Sequence, residues 1–190
     1  ECMLKRYSAL DSNYIPGKYH IQNNTNIIFK ECNNLHLQQI ACWSHTLLDL
    51  EKFFQKEFSL DSCPNFNKGV INKEFSLWRM EPLKWWLMNK NINLSLDLGT
   101  TLDMSHAFTC LHISGDEASL LLNRHLPIDL RENIFLNASS ASSAIHHVSI
   151  KLLKFSANNY YLFIPRGFAL SIWEILLESS KQFGYEILER

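Results

Sequence analysis

Several ordinary sources of chemistry are missing from this sequence. Its 5 cysteines (Cys2, Cys32, Cys42, Cys63 and Cys110) never fall in a C-x-x-C spacing. Neither a disulfide framework nor a structural zinc site is therefore expected, and a reducing cytoplasm fits best. The sequons at Asn23, Asn93 and Asn137 would stay unmodified there. Glycine is scarce, at 6 residues. Neither G-x-G-x-x-G nor G-x-x-x-x-G-K-[ST] occurs, so the usual cradles for dinucleotides and nucleotide phosphates are lacking. The net charge is −1 with Lys and Arg scattered, which leaves no electrostatic footprint for nucleic acid. No run approaches the roughly 18 apolar residues of a membrane span. No basic segment followed by an apolar one marks the start, although Glu1 is an unusual first residue and the true start is expected upstream.

What the chain has is apolar bulk. Hydrophobic residues make up 46% of its 190 positions, including 5 Trp, 6 Tyr and 12 Phe. That suffices for one domain of ordinary size or two small intimate halves. Residues 1–34 are polar and Asn-rich without a sustained period, and read as an extended N-terminal arm. From Leu35 the pattern changes. "LHLQQIACW" reads as a strand, with Ser44 as the N-cap of a helix carrying Leu47, Leu50, Phe54 and Phe58 on one face. Two strand-like runs follow, "EFSLWRM" and "KWWLMNK", joined through Glu81–Pro82.

The second half repeats this order. "FTCLHIS" reads as a strand, and Ser114 with Glu117 as the S-x-x-E capping box of a helix bearing Ala118, Leu121 and Leu122. "VSIKLLKFS" and "YYLFIP" then form a strand pair. The proposed helix caps correspond, Ser44 to Ser114. Laying Trp78 on Leu153 also sets "WWLM" (85–88) on "YYLF" (160–163), aromatic on aromatic. The expected fold is α+β: an arm (1–34) and two β-α-β-β halves (35–100 and 101–190), ferredoxin-like pieces packed together. A final helix over about 167–183 would end at Gly184.

Candidate sites reduce to structure on inspection. The stretch "ISGDEASLLLNRHLPIDLRENIF" gathers Asp116, Glu117, Arg124, His125, Asp129, Arg131 and Glu132. Its acidic residues suit a helix start and its basic ones a helix end, so the charges read as those of a joint. His146 and His147 are adjacent, and on a strand they would point to opposite faces, unable to share one metal ion. "SSASSA" (139–144) lacks a G-x-S-x-G elbow and reads as a flexible loop. No catalytic, cofactor-binding or metal-ligating residue is assigned.

Two features suggest a partner. "KWWLM" and "YYLFI" do not alternate, as expected of strands covered on both faces. Either the halves pack on each other or a partner chain closes one face. The arm carries apolar anchors among polar residues and would gain order along another surface. The candidate interface residues are Ile15, Pro16, Tyr19, Ile28, Phe29, Trp85 and Tyr160.

The runs "LDMS" (102–105), "ISGDEASLLL" (113–122) and "LPIDLRENIF" (126–135), taken with "LQQIACW" (37–43) and the closing pattern of 160–184, resemble the gamma subunit of heterotetrameric sarcosine oxidase over about residues 35 to 187. The D-x-S … G-x-E-A core is also similar to the start of the aminomethyltransferase and folate-binding superfamily. In that superfamily a long chain follows and closes a ring around tetrahydrofolate. Here too little chain follows Ser105 to close such a ring, and a K-G-C-type motif is absent. The resemblance implies an aminomethyltransferase-like scaffold that has lost the site. It further implies a non-catalytic assembly subunit of a complex that oxidatively demethylates an N-methyl amine and delivers the one-carbon unit to tetrahydrofolate. The alpha subunit would be the main contact, with beta and delta subunits in the same complex. FAD, FMN, NAD, zinc and the folate domain would sit in those other chains and no cofactor in this one. The rival readings are a free-standing folate-dependent one-carbon transferase, with Asp129 its best carboxylate, and an RNA-binding module, which lacks a basic groove.

Overall fold

The two apolar runs that do not alternate become inner strands of two sheets. A computed structural model describes residues 7–19 and 26–190. The rest of the expected arm, with Cys2 and Asn23, lies outside the described residues. In the structure β1 (Gly17–Tyr19) and β2 (Ile27–Glu31) precede β3 (Leu37–Cys42), α1 (Leu47–Phe58), β4 (Gly69–Ile71), β5 (Ser76–Glu81), β6 (Lys84–Met88) and β7 (Gly99–Asp103). There follow β8 (Phe108–Ser114), α2 (Ala118–His125), β9 (Ser139–Ile145), β10 (Val148–Ser156), β11 (Asn159–Pro165), α3 (Ala169–Ser180) and β12 (Tyr185–Ile187). One sheet runs β4-β5-β6-β3-β7 and the other β1-β12-β2-β8-β11-β10-β9. Among the described residues all strand pairings are antiparallel except β12 on β2. No described helix is long and apolar enough to cross a membrane.

The duplication is visible in the hydrogen-bond ladders. Trp78 pairs with Trp86, and in the second half Leu153 pairs with Tyr161. The β5–β6 register slips between Arg79 and Glu81, and the β10–β11 register between Lys154 and Ser156, the equivalent place. A bulge is a specific local device, so its recurrence argues for repeated architecture. Where the halves meet, the Gly69 N–H donates to the Ala138 carbonyl at 2.8 Å and the Ser140 N–H to the Asn67 carbonyl at 2.9 Å. These bonds exchange equivalent positions, as a two-fold contact must. Asn67 and Ala138, again equivalent, both adopt left-handed backbone (φ 58° and 55°).

Side-chain alternation sorts the strands into four layers. Leu50, Phe54 and Phe58 of α1 pack on Ile40, Leu77, Trp85 and Leu87, the outer face of the five-stranded sheet. Helices α2 and α3 pack on Ile113, Leu152, Tyr160 and Leu162, the outer face of the other. Between the sheets lie Leu37, Trp78, Met80, Trp86 and Met88 from one half and Cys110, Leu153 and Phe163 from the other. Trp86 meets Phe163 at 5.2 Å between ring centroids, and Trp78 meets Phe155 at 5.2 Å. The two halves therefore seal each other. Burial of each such ring contributes on the order of 2–3 kcal/mol.

Several expectations change. The described part of the arm contributes side chains to the core. Leu10 and Tyr14 are buried, Tyr14 stacks on Trp173 at 5.6 Å, and β2 lies inside the seven-stranded sheet. The expectation failed because these partners come from the opposite end of the chain. The boundary read at residue 100 falls inside β7, which pairs with β3 and belongs to the first half. "SSASSA" lies within β9, because small side chains suit a strand beside the junction of the halves. The unit common to both halves is thus β-α-β-β-β, β3-α1-β4-β5-β6 in the first and β8-α2-β9-β10-β11 in the second, with β7 added at the edge of the first. Ser44 lies in a 3-10 turn ahead of α1, which has no side-chain cap at Thr46; the Thr46 hydroxyl accepts from the Trp43 N–H at 3.2 Å and donates to the Leu98 carbonyl at 2.7 Å. The Ser114–Glu117 capping box does not form. Ser114 ends β8, and Glu117 turns its N–H to the Asn26 carbonyl at 3.2 Å.

Candidate functional site

The charged stretch disperses once folded. Asp116 and Glu117 precede α2, while Arg124 and His125 occupy its last turn. Arg124 lies over the Phe183 ring at 4.7 Å. Burial, with His146 and Arg124 nearby, pushes the His125 imidazole below its ordinary pKa, and its buried Nε2 has no hydrogen-bond partner among the described residues. Asp129 is exposed and held as a carboxylate by hydrogen bonds from Arg131, whose Nε lies 2.9 Å from Oδ1. It faces solvent rather than a pterin-sized cavity. His146 and His147 form the two-residue turn between β9 and β10, with His146 at φ 52°, so they are not on a strand at all. Among the described residues no group of three or more His, Cys, Asp or Glu is placed to hold a metal ion.

The motif residues behind the family resemblance are joints. In D-x-S, the Asp103 carboxylate accepts from the Ser105 N–H at 2.9 Å, and the Ser105 hydroxyl accepts from the Leu37 N–H at 3.0 Å. This ties the end of β7 to the start of β3. In G-x-E-A, Gly115 holds φ +112°, and a Cβ there would lie 2.3 Å from the Asn26 carbonyl oxygen. Only glycine passes that point without strain.

The interface residues read from the sequence divide sharply. Ile15 is 62% exposed, and Pro16 is exposed. Tyr19 is half-buried, stacked on Tyr185 at 4.8 Å, and Ile28 is half-buried in β2. Phe29, Trp85 and Tyr160 are fully buried in the chain's own core, so they present nothing to a partner. Phe29 meets Trp173 edge-on at 5.3 Å, and Trp85 meets Phe54 at 5.6 Å. Their outward faces, read as needing a partner, are covered by the chain's own helices.

A polar cavity of about 240 Å³, absent from the sequence reading, lies where the chain ends converge beside β2 and β8. Glu31, 5% exposed, accepts from the Ser8 hydroxyl and is ion-paired with Arg190 Nε at 2.8 Å, off the hydrogen-bonding direction. Arg190 also pairs with Asp11 and lies over the Tyr14 ring at 4.6 Å. The Tyr14 hydroxyl donates to the Leu188 carbonyl at 2.7 Å and accepts from the Glu31 N–H at 3.0 Å. Arg166 donates to the Tyr7 carbonyl, and Cys32 completes part of the wall. The cavity is thus lined by two guanidiniums and two carboxylates, those of Asp11 and Glu31, with Cys32 at its wall. No local sequence signal marks it, because its members come from five separated segments.

This architecture is an aminomethyltransferase-like α+β fold. Among the solved structures that share it are the following two. A chain of the heterotetrameric sarcosine oxidase from Corynebacterium sp. U-96, in complex with pyrrole 2-carboxylate, matches with a TM-score of 0.76 at 13% identity, covering 94% of this chain and 96% of that one. The glycine cleavage system aminomethyltransferase T from Bartonella henselae matches with a TM-score of 0.62 at 13% identity, covering 87% of this chain and 48% of that one. The present chain therefore spans about half the length of the transferase. No protein-family model and no curated protein matches the sequence.

Proposed function

We propose that this chain is a gamma-type, non-catalytic assembly subunit of a sarcosine oxidase-like complex that demethylates an N-methyl amine and passes the one-carbon unit to tetrahydrofolate. The observation that carries the reading is the end-to-end match, 94% of one chain on 96% of the other, to a chain of a heterotetrameric oxidase. The packed aromatic layer between the halves supports it, since Trp78, Trp86 and Phe163 occupy the space where a duplicated fold could hold a ligand. An alpha-type chain is the main partner in this reading, with beta- and delta-type chains beside it. Flavin, NAD, zinc and folate would be held by those chains, in the cytoplasm.

Purification of the tagged chain from its native cells tests the proposal. The expected result is stoichiometric recovery of larger chains with a flavin absorbance spectrum. Recovery of a single colourless chain that turns over a folate substrate by itself would contradict it. Ile15→Asp should leave the melting temperature of the isolated chain unchanged and reduce recovery of partners. Unchanged recovery would remove Ile15 from the interface.

A further inference from the structure

We propose that Cys32 and Cys110 form a reversible redox pair, reached from solvent through the polar cavity and closed to an intramolecular disulfide by a hydroperoxide. The β2–β8 register sets Glu31 opposite Leu111. The next residues out, Cys32 and Cys110, therefore face each other across antiparallel strands, joined by the bond from the Cys32 N–H to the Cys110 carbonyl at 2.9 Å. Residues paired in this way lie about 5.5 Å apart from Cα to Cα, inside the roughly 4.4–6.8 Å that a disulfide spans. Their side chains share one face of the sheet. Cys32 is the first residue beyond β2, where a strand end can yield the small approach that bonding requires.

The two thiols differ in access. Cys110 is 1% exposed within the layer between the sheets, whereas half-buried Cys32 lines the cavity. One sulfur is placed to meet an oxidant and the other to resolve the product. The surrounding charges agree. The Cys110 S–H stabilises the Cys32 thiolate, as do the His112 N–H and the Lys30 ammonium, so the Cys32 pKa falls below its ordinary value. Burial pushes the Cys110 thiol up. Cys42 and Cys63 are also pushed up by burial, Cys63 to about 11.

In the reaction, the Cys32 thiolate attacks the terminal oxygen of the hydroperoxide and the O–O bond breaks. Cys32 becomes a sulfenic acid, and the departing oxygen leaves as water or an alcohol after taking up a proton. The Cys110 sulfur then displaces hydroxide from Cys32, forming the S–S bond, and the Cys110 proton leaves with that hydroxide as water. Two thiols lose two electrons and the peroxide gains two. A dithiol reductant reverses the change.

The test uses the full chain treated with hydrogen peroxide, alkylated, digested and read by mass spectrometry. The expected product is a Cys32–Cys110 cross-linked peptide, with loss of two alkylatable thiols that dithiothreitol restores. In Cys110→Ala, dimedone should mark Cys32 and the cross-link should vanish. In the untreated chain, iodoacetamide rates give a third readout. With the Cys32 pKa lowered and the Cys63 pKa pushed up to about 11, Cys32 carries the larger thiolate fraction and should be labelled faster than Cys63. A natively melting wild-type chain that gives no such cross-link, or one that links Cys2, Cys42 or Cys63 instead, overturns the proposal. That result needs no variant and stands even where Cys110→Ala does not fold.

Discussion

The two halves solve the same packing problem with different residues. In the first half Gly69 lies opposite Trp78 in the ladder, and a Cβ on Gly69 would come within 2.4 Å of the indole. At the equivalent place in the second half, Ser140 lies opposite Leu153. One half sets a very small residue against a very large one, and the other sets two of middling size. The pair volume is roughly kept, which cores tolerate best. The cations differ more. Arg79 lies over Trp85 at 5.0 Å and is ion-paired with Glu51 at 3.0 Å. Its counterpart Lys154 lies over Tyr160 at 5.8 Å, is 1% exposed, and donates to the Phe135 carbonyl at 2.6 Å. A buried ammonium held by one carbonyl is the costlier solution.

The halves also differ at their edges. Beyond β3 the first half adds β7 alone, whereas beyond β8 the second half adds β2, β12 and β1 from the chain ends. Tyr14→Ala should break this extension most severely. It removes the stack on Trp173 and both hydroxyl bonds, at a cost of about 3–5 kcal/mol in denaturant unfolding. Ile15→Ala, one residue on and exposed, should cost under about 0.5 kcal/mol. Next comes the Gly–Trp pair. Gly69→Ala should cost about 1–3 kcal/mol through overpacking against the indole. Ser140→Ala should be neutral or slightly stabilising, since the buried Ser140 hydroxyl has no hydrogen-bond partner among the described residues. Equal effects at the two sites would show that the halves do not pack as described.

Exchanging the cations for methionine sharpens the contrast further. Arg79→Met leaves Glu51 without its partner and should cost about 1–2 kcal/mol. Lys154→Met should be neutral or stabilising by on the order of 1 kcal/mol. The pH dependence separates the two mechanisms. Burial pushes the Lys154 pKa below its ordinary 10.5, so the unfolded chain binds more protons between the folded value and 10.5. Stability therefore rises with pH across that window, and that gain is lost as pH falls through the folded value. Lys154→Met should flatten the rise, as followed by urea midpoints at increasing pH. The smallest effect belongs to Ser114→Ala, within about 0.5 kcal/mol of zero, because no capping box forms.

The duplication was legible because it rests on local periodicity. Laying Trp78 on Leu153 agrees with the ladder pairings of Trp78 with Trp86 and Leu153 with Tyr161. The unbroken apolar runs correctly signalled strands covered on both faces, but not what covers them. That answer depends on Trp78 meeting Phe155 from the other half. Residues 7–19 and 26–34 were misread for the same reason. Leu10 and Tyr14 look like isolated anchors until Trp173 is folded onto them. The S-x-x-E pattern at Ser114 misled because Gly115 turns the chain sharply and gives the Asn26 carbonyl to the Glu117 N–H. The polar cavity and the Cys32–Cys110 pair were invisible for want of any short spacing. Only the pairing of β2 on β8 brings those sulfurs together.

Hydrogen exchange of the isolated chain, read by mass spectrometry, tests most directly whether the chain ends and both halves form one core. Amides of β2, β5, β6, β10 and β11 should exchange together at the slow rate of global unfolding. Fast exchange throughout β2 and the segment around Tyr14, with β10 and β11 still protected, would contradict this expectation and make the segment before Leu35 an arm after all.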